Sequence, residues 1–148
     1  MKKHLIPIIL NIALGSTAFA ITPEKILADD AHATVRDGIA IRKGSIGALT
    51  ANTSILNHLM TIENSSLEIE SSIKAIRENV IGLEAIGVYD LFSVEEWLMD
   101  EKKPGNIIVG VLFLQTFPEM INDQIRDRLI ELSSTAIDRL KEEILKVI

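Results

Sequence analysis

The chain has 148 residues, 47% of them apolar and 24% charged, with 15 basic against 21 acidic side chains, one Trp, one Tyr and no Cys. That balance excludes a disordered tail, a disulfide scaffold, a Cys-ligated zinc site and a thiol enzyme. The length suits one domain with a single core.

The first twenty residues read as a separate object. Lys2 and Lys3 open a positive stretch, Leu5 to Leu14 is an apolar run, and Ala18-Phe19-Ala20 is a small-x-small cleavage pattern. The run is too short for a permanent membrane span, which takes about 20 residues. It predicts a signal peptide, residues 1–20, cut after Ala20, and a single mature domain, residues 21–148, that is periplasmic or secreted. No Cys follows the small residues, so a lipoprotein anchor is excluded. Losing Lys2 and Lys3 but no acid deepens the charge from −6 to −8, which argues against a nucleic acid as partner. Asn52-Thr53-Ser54 and Asn64-Ser65-Ser66 are glycosylation triplets that matter only on a eukaryotic secretory route.

Along the mature chain, helix-start chemistry recurs. Thr22-Pro23-Glu24 places a hydroxyl before a proline at a first helical position. From Thr34 to Met60, the residues Val35, Ile39, Ile46, Leu49, Thr53, Leu56 and Met60 fit helical spacing, with Thr34-x-x-Asp37 as a start. Gly38, Gly44 and Gly47 oppose that helix, and Asp37-Gly38 between Thr34-Val35-Arg36 and Ile39-Ala40-Ile41 also reads as a two-residue hairpin turn. Ser65-x-x-Glu68 opens a helix whose stripe is Ile69, Ile73, Ile76, Val80 and Leu83, with Glu70 and Lys74 paired opposite and Gly87 as its stop. Ser93-x-x-Glu96 is a capping box flanked by a Phe92–Trp97 staple, and Asp100 to Gly105 is a polar loop. Asn106 to Leu114 is a buried central helix capped by Asn106, or a third strand if the hairpin forms. Thr116-x-Pro118-Glu119 starts a last helix with the stripe Ile121, Ile125, Leu129, Leu132, Ala136, Leu140 and Ile144, bending if anywhere near Ser133-Ser134-Thr135. These elements predict an all-α fold, a small helical bundle of four to five main helices, with α+β and a short hairpin around Asp37-Gly38 as the alternative.

Sets that carry chemistry are scarce. The mature histidines, His32 and His58, with Asp29 and Asp30, lack the spacing of a metal site, and no cofactor motif occurs. No serine sits in a nucleophile motif, and Gly38, Gly44 and Gly47 make no phosphate loop. With Ala48 and Ala51 these glycines instead predict a thin helix face that admits a neighbour. Glu95, Glu96, Asp100 and Glu101 surround Trp97, but a hydrolase needs two carboxyls facing across a cleft. All the mature aromatics, Tyr89, Phe92, Trp97, Phe113 and Phe117, fall within residues 89–117, where they either cement a core or line a binding surface. Arg36, Arg42 and Lys43 form the basic cluster; at helical spacing Arg36 and Lys43 share a face that can hold a ligand's carboxylate or phosphate, or the chain's own acids.

The function these features predict is that of an exported, non-enzymatic protein binding a partner protein or a small apolar ligand through residues 89–117. The alternatives are a structural protein that forms homo-oligomers through its C-terminal helix, and a small hydrolase using the acids near Trp97.

Overall fold

In the computed structural model, which describes residues 32–62 and 66–148, Asp37 and Gly38 both hold positive φ, 50° and 83°. Those angles give the primed turn whose twist matches paired strands. Strand β1 (Ala33–Arg36) therefore folds back on β2 (Ile39–Arg42), with Arg36 opposite Ile39 and Thr34 opposite Ile41. Strand alternation turns Thr34, Ile39 and Ile41 toward helix α2 (Leu67–Ala85) and leaves Val35 and Arg42 on the outer face. A single helix from Thr34 is thus corrected to a hairpin followed by a helix. The Asp-Gly turn meets its conformational demand locally, whereas a helix would have had to absorb Gly38 and Gly44 in its interior.

Gly44, at φ 86°, redirects the chain into α1 (Ser45–Leu59), and the Ser45 hydroxyl donates to the Arg42 carbonyl at 2.8 Å. Ser66 caps α2 by accepting from the Ile69 amide, one residue later than the spacing suggested. The predicted stripe of α2 is buried along its whole length, and Gly87, at φ 80°, follows its end. Two short helices come next, α3 (Val88–Leu91) and α4 (Val94–Met99). The second carries both halves of the predicted capping box: the Glu96 amide donates to Ser93 Oγ, and the Ser93 amide donates to the Glu96 carboxylate.

Helix α5 (Pro104–Thr116) occupies the centre, with α1, α2, α4 and the last helix packed around it. Every side chain from Ile107 to Leu114 is buried, and each large one contributes about 1.5–3 kcal/mol. It starts at Pro104, two residues before the expected Asn106 cap, because a proline at the first helical position gives up an amide that had no partner there. It does not become a third strand; β1 and β2 form a two-stranded sheet. The close approach predicted for the earlier glycines occurs here instead. A Cβ on Gly105 would strike the Thr53 carbonyl and lie 2.8 Å from the Asn57 amide, whereas one on Gly44 or Gly47 would meet nothing.

The C-terminal region is not one helix. Thr116 bonds back to the Leu112 carbonyl and finishes α5, Pro118–Met120 makes a 3-10 turn, and Asn122 caps α6 (Asp123–Thr135). The hydroxyls of Ser133 and Ser134 then take the carbonyls of Ile130 and Glu131, and Ala136 and Ile137 turn extended before α7 (Asp138–Ile144). The break redirects the stripe, so that Ile125, Leu129, Leu132, Leu140 and Ile144 are all buried within this chain.

A carboxylate inside the fold fastens α7. Glu143, 0% exposed, accepts from Arg77 of α2 at 2.9 Å, from Gln115 of α5 at 2.8 Å and from Lys146 at 2.7 Å, and pairs with Arg139. Burial alone would raise its pKa. The Gln115 and Lys146 hydrogen bonds and the charges of Arg77 and Arg139 outweigh burial and hold it at about 2.

Ala33–Ile148 is one compact unit of mostly helical structure with a small hairpin. Among the described residues, no helix is long and apolar enough to cross a membrane. The predicted signal peptide, the Thr22-Pro23 helix start, Asp29, Asp30, Asn64 and Ser65 lie outside the described residues.

Candidate functional site

The structure divides the aromatic segment into two groups. Tyr89 lies against Phe113 with ring centroids 4.1 Å apart, and Phe113 lies 4.9 Å from Phe117, making an internal stack that joins α3 to α5. These rings belong to the core. Burial pushes the Tyr89 hydroxyl pKa up, and that hydroxyl has no hydrogen-bond partner among the described residues.

Phe92 and Trp97 form the other group, edge to face at 5.8 Å on either side of the Ser93 cap. The Trp97 indole N–H donates to the Phe92 carbonyl at 3.0 Å, which fixes the ring as the predicted staple requires. In this pair Phe92 faces outward, while Trp97 is partly buried against the core. Phe92 is 53% exposed, its neighbour Leu91 75%, and Ile46 on α1 55%. Together they border a groove of about 430 Å³ between α1 and the α3–α4 corner, with Leu49 and Val88 also in its wall.

Polar atoms in the groove are few, and most are committed. Thr50 and Thr53 donate their hydroxyl protons to the Ile46 and Leu49 carbonyls of their own helix. Asn57 accepts the Gly105 and Asn106 amides on its side-chain oxygen, at 2.8 and 3.3 Å, and donates its Nδ2 to Asn106 Oδ1 at 2.9 Å. The first turn of α5 is thereby tied to α1 at one end of the groove. None of the lining residues is charged.

Arg36, Arg42 and Lys43 do not join this site. Arg36 and Arg42 lie on opposite faces of the hairpin, and Lys43 sits in the turn after β2, so the shared helical face expected of Arg36 and Lys43 does not form. The helix that would have aligned them is interrupted at Asp37 and Gly38. Of the acids near Trp97, three have local structural roles: Glu96 in the capping box, Asp100 accepting the Lys102 amide, and Glu101 paired with Arg128; Glu95 lies in the first turn of α4. His58 is exposed on the last turn of α1, and among the described residues no His, Asp and Glu cluster could hold a metal ion.

A smaller cavity of about 290 Å³ opens at the α6–α7 break between Met60, Ile107, Leu132 and Leu140. It follows from a helix interruption that the continuous apolar stripe concealed. In the groove, the contributions that sequence reasoning missed are those of Ile46, Leu49, Asn57 and Asn106. For the three on α1, the only signal is that this helix, like the α5 it packs against, carries no Asp, Glu, Lys or Arg.

No protein-family model matches this chain, and no curated protein or solved structure shows significant similarity to it.

Proposed function

We propose that the chain is an exported, non-enzymatic binding protein that takes a small apolar ligand into the groove between α1 and the α3–α4 corner. One observation carries this reading: Ile46, Leu91 and Phe92, each more than half exposed, surround an uncharged concavity of about 430 Å³ beside the sole tryptophan. Ligand pockets commonly enclose about 300–1,000 Å³ of mostly apolar lining with a few placed polar groups. Large apolar side chains gathered around a concavity mark a surface that a ligand or partner covers. Export rests on the N-terminal pattern of Lys2-Lys3, an apolar run and Ala18-Phe19-Ala20. A partner protein's apolar side chains are the second reading, favoured by Leu91, which at 75% exposure stands at the rim.

Trp97 supplies the assay. The neutral dye N-phenylnaphthylamine should bind the full chain, gain emission and accept energy from Trp97. Phe92→Ser and Leu91→Ser should each weaken that binding about tenfold without loss of helical circular dichroism. Dye binding that ignores both substitutions would remove the groove as the site. For export, the protein recovered from its host's envelope or medium should begin at Ile21, and recovery only in the cytosol with residues 1–20 attached would overturn it.

A further inference from the structure

Taking the groove as the ligand site, we infer that its ligand is electrically neutral and carries a carbonyl oxygen that accepts a hydrogen bond from the Asn106 side-chain amide. The orientation of that amide is determined by the backbone. Asn57 must turn its oxygen toward the Gly105 and Asn106 amides, because those groups can only donate. Its Nδ2 then meets Asn106 Oδ1 at 2.9 Å, which identifies the oxygen of Asn106 and leaves the Asn106 NH₂ as the other end. That NH₂ has no hydrogen-bond partner among the described residues, and Asn106 lines the groove.

The other polar atoms narrow the ligand further. Thr50 and Thr53 have already given their protons to their own helix and the Trp97 indole N–H is given to the Phe92 carbonyl, so apart from the Ser54 hydroxyl at the exposed edge and the second Nδ2 proton of Asn57, the lining's side-chain donor is the wholly uncommitted Asn106 NH₂. A donor beside an apolar wall calls for an acceptor on an apolar body. No Asp, Glu, Lys, Arg or His lines the groove, so neither a carboxylate nor an ammonium would find a counter-charge to offset its lost hydration. A neutral ketone, ester or amide meets both conditions.

Three matched probes separate this inference from the groove reading beneath it: butyl phenyl ketone, pentylbenzene and phenylvalerate. Each is titrated into the full ¹⁵N-labelled chain, following the Asn106 side-chain amide signals and the affinity. The ketone should bind about fivefold tighter than the hydrocarbon and shift the Asn106 NH₂ protons downfield, and the carboxylate should bind most weakly. Asn106→Asp keeps an oxygen for Asn57 Nδ2 but removes the donor, so the ketone's advantage over the hydrocarbon should disappear; the ratio of the two affinities is the readout, since the new carboxylate weakens both apolar probes. The downfield shift in the unsubstituted chain tests the inference even if that variant folds poorly. Equal binding of ketone and hydrocarbon, with no Asn106 shift, overturns the carbonyl and leaves the groove standing. Tightest binding by the carboxylate overturns neutrality. Failure of all three probes, alongside binding of an apolar helical peptide, overturns the inference and the small-ligand reading together.

Discussion

Replacing Glu143 by glutamine removes a charge but little volume from the centre of the α2–α5–α7 contact. The carboxylate is wholly buried and its pKa is held at about 2 against an ordinary 4.5. At about 1.4 kcal/mol per pKa unit, that depression corresponds to about 3 kcal/mol of stability at neutral pH. Two of its cations, Arg77 and Lys146, have side chains 44% and 52% exposed and regain hydration when the charge is lost, so screening reduces the expected cost to about 2 kcal/mol. The folded pKa lies below the unfolded one, so the contribution is complete above about pH 4.5 and disappears as pH falls through about 2. Urea unfolding followed by circular dichroism should therefore show Glu143→Gln about 2 kcal/mol less stable at pH 7, with the gap closing between pH 4.5 and pH 2. A gap that stays constant over that range, or one under about 0.5 kcal/mol at neutral pH, would refute the assignment of the network to a charged Glu143.

Gly105→Ala places a Cβ against the Thr53 carbonyl and the Asn57 amide, so α1 and α5 must separate; denaturant melts should show a loss of about 1–3 kcal/mol, and spectra should show displaced Asn57 and Asn106 side-chain amides. Ser93→Ala removes one half of the capping box and should cost about 1 kcal/mol, with Trp97 emission moving to longer wavelength as the Phe92–Trp97 contact loosens. Gly38→Ala meets no steric neighbour, so its cost of about 1–2 kcal/mol comes from the positive φ alone; the loss should appear as weakened Arg36–Ile39 cross-strand contacts in nuclear magnetic resonance, with the α2 core signals unchanged. Leu112→Ala, in the middle of α5, should cost about 2–5 kcal/mol in the same melts.

How far the candidate site was legible from residues alone differs between its two halves. The Ser93-x-x-Glu96 box and the Phe92–Trp97 staple depend on neighbours within five positions, so their spacing was enough to predict them, and they place Trp97 on the groove. The opposite wall, Ile46 and Leu49, and the Asn57–Asn106 pair meet across about fifty positions of sequence, at a helix crossing that Gly105 permits. No local pattern encodes that crossing. The same distinction separates the Phe92–Trp97 pair at the groove from the internal Tyr89–Phe113–Phe117 stack, which composition had grouped together.

By itself the sequence determined what one turn of backbone can decide. The stripe of α2, its stop at Gly87 and the capping box follow from periodicity, positive φ and short-range hydrogen bonds, and the unbroken apolar run from Ile107 to Leu114 required burial whether it formed a helix or a strand. Where two local patterns competed, as at Thr34 to Met60 and Pro118 to Ile148, tertiary structure chose between them. The hairpin seats Ile41 toward α2, and the break after Thr135 brings Leu140, Glu143 and Ile144 onto α5. A buried Glu143 and an uncharged groove are properties of surfaces that meet only after folding, since desolvation and charge pairing depend on neighbours brought together from distant parts of the chain.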